Sequence, residues 1–138
     1  MAKLTGISHT VLTVANLDRS VPWYERVLSC SSIFRGRSEP GGFEVAYLSE
    51  PSSGLLLGLV QHDAPQAESF SPRVVGLDHL AFAVENRNQL TDWATHLDSA
   101  GIPHGPLEDQ PFGTGLTVAD PDGIALEFYH LSPPSATK

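Results

Sequence analysis

Three residues spread along the chain are of the types that bind a divalent cation: His9, His79 and Glu127. Neutral imidazoles and a carboxylate suit Fe, Mn, Zn, Ni or Co, and two histidines with one carboxylate leave coordination positions open for water or substrate. Taken singly, none of the three demands a metal. A strand histidine is often half-buried, and a glutamate ordinarily reaches solvent or an arginine. Their placement is what joins them. Gly76-Leu77-Asp78-His79, followed by Val84 and Asn86, repeats Gly6-Ile7-Ser8-His9, followed by Val14 and Asn16, at a constant offset of 70 residues. The two histidines therefore hold equivalent places in a pattern written twice. Glu127 stands between Leu126 and Phe128 in an apolar run, where an unpaired carboxylate costs several kcal/mol. No Lys or Arg falls on the same strand positions, so a divalent cation is the simplest partner for its charge.

Behind these residues stands a repeated set of elements. A strand is expected over residues 6–15, then a helix from Arg19 to near Cys30 with Asp18 as its N-cap, Val21, Tyr24, Val27 and Leu28 on one face, and Pro22 tolerated in the first turn. Three short strands follow at 33–37, 43–49 and 55–61, separated by Pro- and Gly-containing breaks. Residues 63–74 have the composition of a linker. The second half repeats the plan, with a helix over 88–100 carrying Leu90, Trp93, Ala94 and Leu97, and strands at 104–107, 113–119 and 124–130. The chain thus reads as one domain of two modules, 4–62 and 75–131, with a disordered polar tail at 132–138. Alternate residues of a strand share a face. His9, Val11 and Thr13 therefore point one way, as do His79, Ala81 and Ala83, and as do Ala125, Glu127 and Tyr129, leaving the bulkier apolar residues to face the helices.

The 138 residues are 41% hydrophobic and 17% charged, a balance that supports a packed core. Eight Lys and Arg against sixteen Asp and Glu leave a net charge of −8, which provides no basic surface for nucleic acid or for anionic lipid. The single Cys30 excludes an internal disulfide and a thiolate metal cluster. The first residues do not have the form of a secretory leader, and no apolar run approaches the roughly 20 residues that span a bilayer. A cytoplasmic protein with no membrane partner is expected.

The segments G-I-S-H-T-V-L-T-V, G-L-D-H-L-A-F-A-V and A-D-P-D-G-I-A-L-E-F-Y together resemble the vicinal oxygen chelate superfamily, over nearly the whole chain. Its members include glyoxalase I, methylmalonyl-CoA epimerase, extradiol dioxygenases, fosfomycin-resistance thiol transferases and bleomycin-binding resistance proteins. The resemblance implies an α+β fold in which two tandem βαβββ modules form a curved, open eight-stranded mixed sheet with helices on the outer face. It also implies that His9, His79 and Glu127 are ligands of a divalent metal ion, and that the protein is a homodimer. A fourth ligand position is tested by the turn glycines Gly54 and Gly123, since four residues on from each lie Gly58 and Glu127. Glycine offers no ligand, which counts against glyoxalase I and the epimerase. Gln61 would reach that face only through a bulge. The extradiol pattern expects a tyrosine where Thr117 stands, and the fosfomycin pattern expects cationic residues where 111–115 is nearly neutral.

On the inner face Val11, Thr13, Phe43, Tyr47, Thr117 and Tyr129 are expected to contact a small-molecule substrate, and the mostly apolar wall suits a neutral aromatic or polyketide-like compound with two adjacent oxygens. His62 and His130, at strand ends, are candidate bases. The expected function is that of a metal-dependent enzyme, dioxygenase-like or glyoxalase-like (a lyase or isomerase), acting on a small, largely apolar oxygenated metabolite. The rival expectation is a resistance protein that sequesters a drug or natural product without turnover.

Overall fold

Branched residues at alternate positions, then apolar residues at helical spacing, then three more alternating runs, build the same sequence of elements twice in the computed structural model, which describes residues 1–64 and 69–132. The chain divides between residues 68 and 69 into two compact units. The first contains β1 (Thr10–Thr13), α1 (Leu17–Leu28), β2 (Ser31–Ser38), β3 (Phe43–Glu50) and β4 (Leu55–His62). The second contains β5 (Leu80–Ala83), α2 (Arg87–Ser99), β6 (Glu108–Gln110), β7 (Gly113–Ala119) and β8 (Ala125–Leu131). The eight strands form two hydrogen-bonded sets of four, in the orders β1-β4-β3-β2 and β5-β8-β7-β6. Each set is mixed: β1 pairs parallel with β4 and β5 with β8, while the other neighbours are antiparallel.

Each unit has its own core between its helix and one sheet face. In the first, Leu12, Ala46, Leu48, Leu57 and Leu59 are buried with Leu17, Tyr24 and Val27 of the helix. In the second, Leu116, Val118, Leu126 and Phe128 are buried with Leu90 and Leu97, and Trp93 of α2 stacks on Phe128 at a centroid distance of 4.2 Å.

The start of α1 and the place of β6 differ from the sequence expectation. The N-cap of α1 is Asn16, whose side chain accepts from the Asp18 N–H, whereas Asp18 lies inside the helix and pairs with Arg35 at 2.8 Å. Both residue types cap well, so composition alone does not choose between them. The earlier start places Pro22 inside the helix, on an exposed position. The strand expected at 104–107 is displaced to β6. Pro103 and Pro106 have no N–H to donate, so although the Gly105 N–H reaches the Thr117 carbonyl of β7 at 2.9 Å, a continuous ladder with β7 forms only beyond Pro106. Of the expected linker, residues 65–68 lie outside the described residues, as do residues 133–138 of the expected disordered tail. Phe70, just after the undescribed stretch, donates its N–H to the Asp122 carbonyl at 3.3 Å and so belongs to the second unit.

Candidate metal centre

In the second unit the alternation of β8 places Leu126 and Phe128 against α2 and turns Glu127 and Tyr129 to the other face. Register sets Glu127 between Ala81 of β5 and Thr117 of β7, two small side chains that leave its carboxylate standing clear. The Glu127 side chain is only 13% exposed. Gly115 makes room for it, since a Cβ there would lie 3.0 Å from Glu127 Oε2. His79 immediately precedes β5, and its Nε2 stands 3.7 Å from Glu127 Oε1. That exceeds a hydrogen bond. Two donors each about 2.1 Å from a shared ion stand roughly 3–3.5 Å apart, and the pair is a few tenths of an ångström wider than that.

The other ring nitrogen is already committed. His79 Nδ1 lies 2.8 Å from Asp78 Oδ1; it donates there, and its partner nitrogen is left as an acceptor facing Glu127, the arrangement that orients metal-binding histidines. The first unit repeats the device in weaker form, with Ser8 Oγ 3.0 Å from His9 Nδ1. Sequence reasoning passed over both, although each stands directly before its histidine in the repeat.

His9 meets the Tyr47 ring edge-on at a centroid distance of 6.0 Å, so it lies on the face that also carries Val11, Thr13 and Phe43. There Gly58 is set between Val11 and Tyr47, as Glu127 is set between Ala81 and Thr117. A Cβ at Gly58 would come 2.9 Å from the Tyr47 ring and 3.0 Å from Val11; the position of a fourth ligand is filled by its neighbours. Gln61 does not replace it. The β3–β4 ladder runs without a shift from Phe43 and His62 to Glu50 and Leu55, and Gln61 Oε1 accepts from the Leu17 N–H at 2.8 Å at the start of α1.

The two candidate bases belong to different units. His62 pairs across the strands with Phe43, ring to ring at 5.8 Å, on the same face as Tyr47. His130 alternates with Glu127 and Tyr129 and so lies on the opposite face of its sheet, paired with Thr114. Among the described residues no three His, Cys, Asp or Glu side chains gather as a metal-binding group; the second unit builds the His79–Glu127 pair, and His9 belongs to the first.

Two cavities flank that pair within the second unit. One, of about 460 Å³, is lined by Asp78, His79, His104, Thr117 and Glu127 among others. The other, of about 480 Å³, is lined by His79, Ala81, Ala83, Phe112, Glu127 and Tyr129, with Gln110 at its far end. His104 has both ring nitrogens on acceptors, the Gly105 carbonyl at 2.7 Å and Asp98 Oδ1 at 3.0 Å. The Gly105 carbonyl foremost, with the Asp98 carboxylate, holds its pKa above the usual histidine value against partial desolvation.

A family model for the Glyoxalase/Bleomycin resistance protein/Dioxygenase superfamily matches residues 6–128. The chain is 28% identical over 129 residues to the metallothiol transferase FosB of Shouchella clausii, covering 91% of this chain and 80% of that protein. Among solved structures, a glyoxylase/bleomycin resistance protein/dioxygenase domain from Frankia sp. EAN1pec superposes with a TM-score of 0.85 at 36% identity, covering 94% of this chain and all of the other. A mutant of the fosfomycin resistance protein FosX from Listeria monocytogenes, complexed with Mn(II) and dihydroxypropylphosphonic acid, shares the fold with a TM-score of 0.65 at 16% identity, over 92% of this chain and 93% of that one.

Proposed function

The chain belongs to the Glyoxalase/Bleomycin resistance protein/Dioxygenase superfamily, and on that premise we propose that it is a metal-dependent enzyme whose His9, His79 and Glu127 hold one divalent cation. The observation that carries the reading is the His79–Glu127 pair, 3.7 Å apart, with His79 Nδ1 tied to Asp78 and cavities on either side. The ion is one of Fe(II), Mn(II), Zn(II), Ni(II) or Co(II), and when bound it supplies Lewis acidity to two adjacent oxygens of a substrate. The FosX mutant that shares the fold was solved with Mn(II) and dihydroxypropylphosphonic acid, a compound that carries two adjacent oxygens.

The protein's own residues do the rest. Asp78 holds the His79 ring in one tautomer, Gly115 lets the Glu127 carboxylate lie close to the sheet, and Ala81, Ala83 and Phe112 give the adjoining cavity an apolar wall. Val11, Thr13, Phe43 and Tyr47 of the first unit, with Thr117 and Tyr129 of the second, are the proposed substrate contacts. His62 remains the candidate base, because it shares a face with Tyr47. The substrate is a small, largely apolar oxygenated metabolite, and the chemistry is dioxygenase-like or glyoxalase-like. Gly58 in place of a fourth ligand favours the three-ligand arrangement. The reading includes a cytoplasmic homodimer, supported by the single cysteine and the family's habit of pairing.

Metal content tests this directly. Protein purified without added metal or chelator, assayed by plasma mass spectrometry beside Glu127→Ala and again after reconstitution, is expected to carry near one metal per chain, lost in the variant. If neither protein takes up a divalent metal, the enzyme reading falls and a ligand-sequestering protein is the better account.

A further inference from the structure

The cavity of about 480 Å³ in the second unit has two polar ends. His79 and Glu127 form one, and Gln110 with Tyr129 forms the other. The Tyr129 hydroxyl donates to Gln110 Oε1 at 3.0 Å. That bond spends the amide oxygen and fixes the orientation of the amide, so the NH2 group of Gln110 keeps two unspent donors. Glu127 and Tyr129 are successive residues on one face of β8, about 7 Å apart along the strand, a span suited to one substituted aromatic ring. Ala81 and Ala83 keep the floor between them flat, and Phe112 offers an aromatic wall. His79 and Glu127 are the only ionisable side chains of His, Asp, Glu, Lys or Arg type lining this cavity. In a chain of net charge −8, such a lining provides no counter-charge for an anion.

We propose that Gln110, oriented by Tyr129, determines specificity for a neutral aromatic ligand that carries two adjacent oxygens at one end and an uncharged carbonyl acceptor at the other. The inference rests on the metal-site reading for the first end and on the Gln110–Tyr129 pair alone for the second. It sets this pocket apart from one built for a phosphonate or a multiply charged thioester. A neutral amide donor satisfies a carbonyl without the desolvation that an unpaired carboxylate or phosphonate would suffer.

Three catechols that differ only at the para position test it: para-acetylcatechol (neutral acceptor), para-ethylcatechol (no acceptor) and para-carboxycatechol (anionic acceptor). Each is titrated calorimetrically into the wild type, Gln110→Leu and Tyr129→Phe, metal-free and loaded with Zn(II). The wild type is expected to bind the acetyl compound about threefold to tenfold more tightly than the ethyl compound, without favouring the carboxylate. In Gln110→Leu that ratio falls to about one, and in Tyr129→Phe it is reduced. Gln110 lies exposed on β6, and circular dichroism checks that the variant keeps its fold. A ratio unchanged in Gln110→Leu, a preference for the carboxylate, or no binding of any of the three overturns the inference. Zn(II) uptake, measured separately by equilibrium dialysis, decides the metal reading. If the wild type takes up no Zn(II), that reading fails, and the acetyl-to-ethyl ratio in metal-free protein still decides the role of Gln110.

Discussion

Asp78 Oδ1 lies 2.8 Å from His79 Nδ1, and this contact leaves Nε2 as the nitrogen available toward Glu127. Orienting partners of this kind commonly carry a factor of about 10–100 in metal affinity. Asp78→Ala is therefore expected to weaken metal binding by about that factor, as read by competition with a chromophoric chelator, while Asp78→Asn, whose amide oxygen still accepts, recovers part of the loss. His104 lends itself to a different test. Its pKa is raised by the Gly105 carbonyl first and Asp98 second, so the protonated ring stabilises the folded state. That contribution is fully present below the unfolded value of 6.5 and is lost as the pH rises through the higher folded value. Asp98 comes from the end of α2, while Asp78, His79 and Glu127 line the same cavity from the sheet side. Urea unfolding is expected to show greater stability at pH 6 than at pH 9, with the difference reduced in His104→Gln.

At the level of strands and helices, Gln61 separates two accounts of β4. If the side chain caps α1, as its 2.8 Å bond from the Leu17 N–H shows, Gln61→Ala costs about 1 kcal/mol of stability in chemical denaturation and leaves metal content unchanged. The alternation of β8 and β4 was legible in the residues themselves: Glu127 and Gly58 occupy matching register positions in their sheets, as the turn glycines Gly54 and Gly123 predict. The start of α1 was not, because Asn16 and Asp18 are equally competent caps and the choice rests on which one has a partner elsewhere. Asp18 has Arg35. The position of β6 follows from Pro103 and Pro106, which lack the N–H that a continuous ladder with β7 needs.

On the proposed reading, metal binding and the stability of the chain are linked, because a ligand that binds the folded form alone shifts the unfolding equilibrium by mass action. With free metal at a hundredfold excess over its dissociation constant the gain is about 2.7 kcal/mol, which for a chain of this size raises Tm by about 10 °C. Differential scanning fluorimetry is expected to show that rise in the wild type and none in Glu127→Ala. The acidic balance of the sequence provides no basic surface for nucleic acid, and among the described residues no helix is long and apolar enough to cross a membrane.

Composition, the offset of 70 residues and the two-residue alternation were enough to place two βαβββ units and to bring His79 and Glu127 onto one sheet face. These features follow from covalent geometry, since a strand reverses its side chains at every residue wherever it lies. The partners of the site follow no such period. Tyr129 and Gln110 are 19 residues apart and Gln61 and Leu17 are 44 apart, so their pairing depends on sheet register and rotamer. The bond between the adjacent Asp78 and His79 depends on side-chain torsions. The two long-range pairs have no signature along the chain and were settled by packing, whereas Asp78 stands beside its histidine in the repeat.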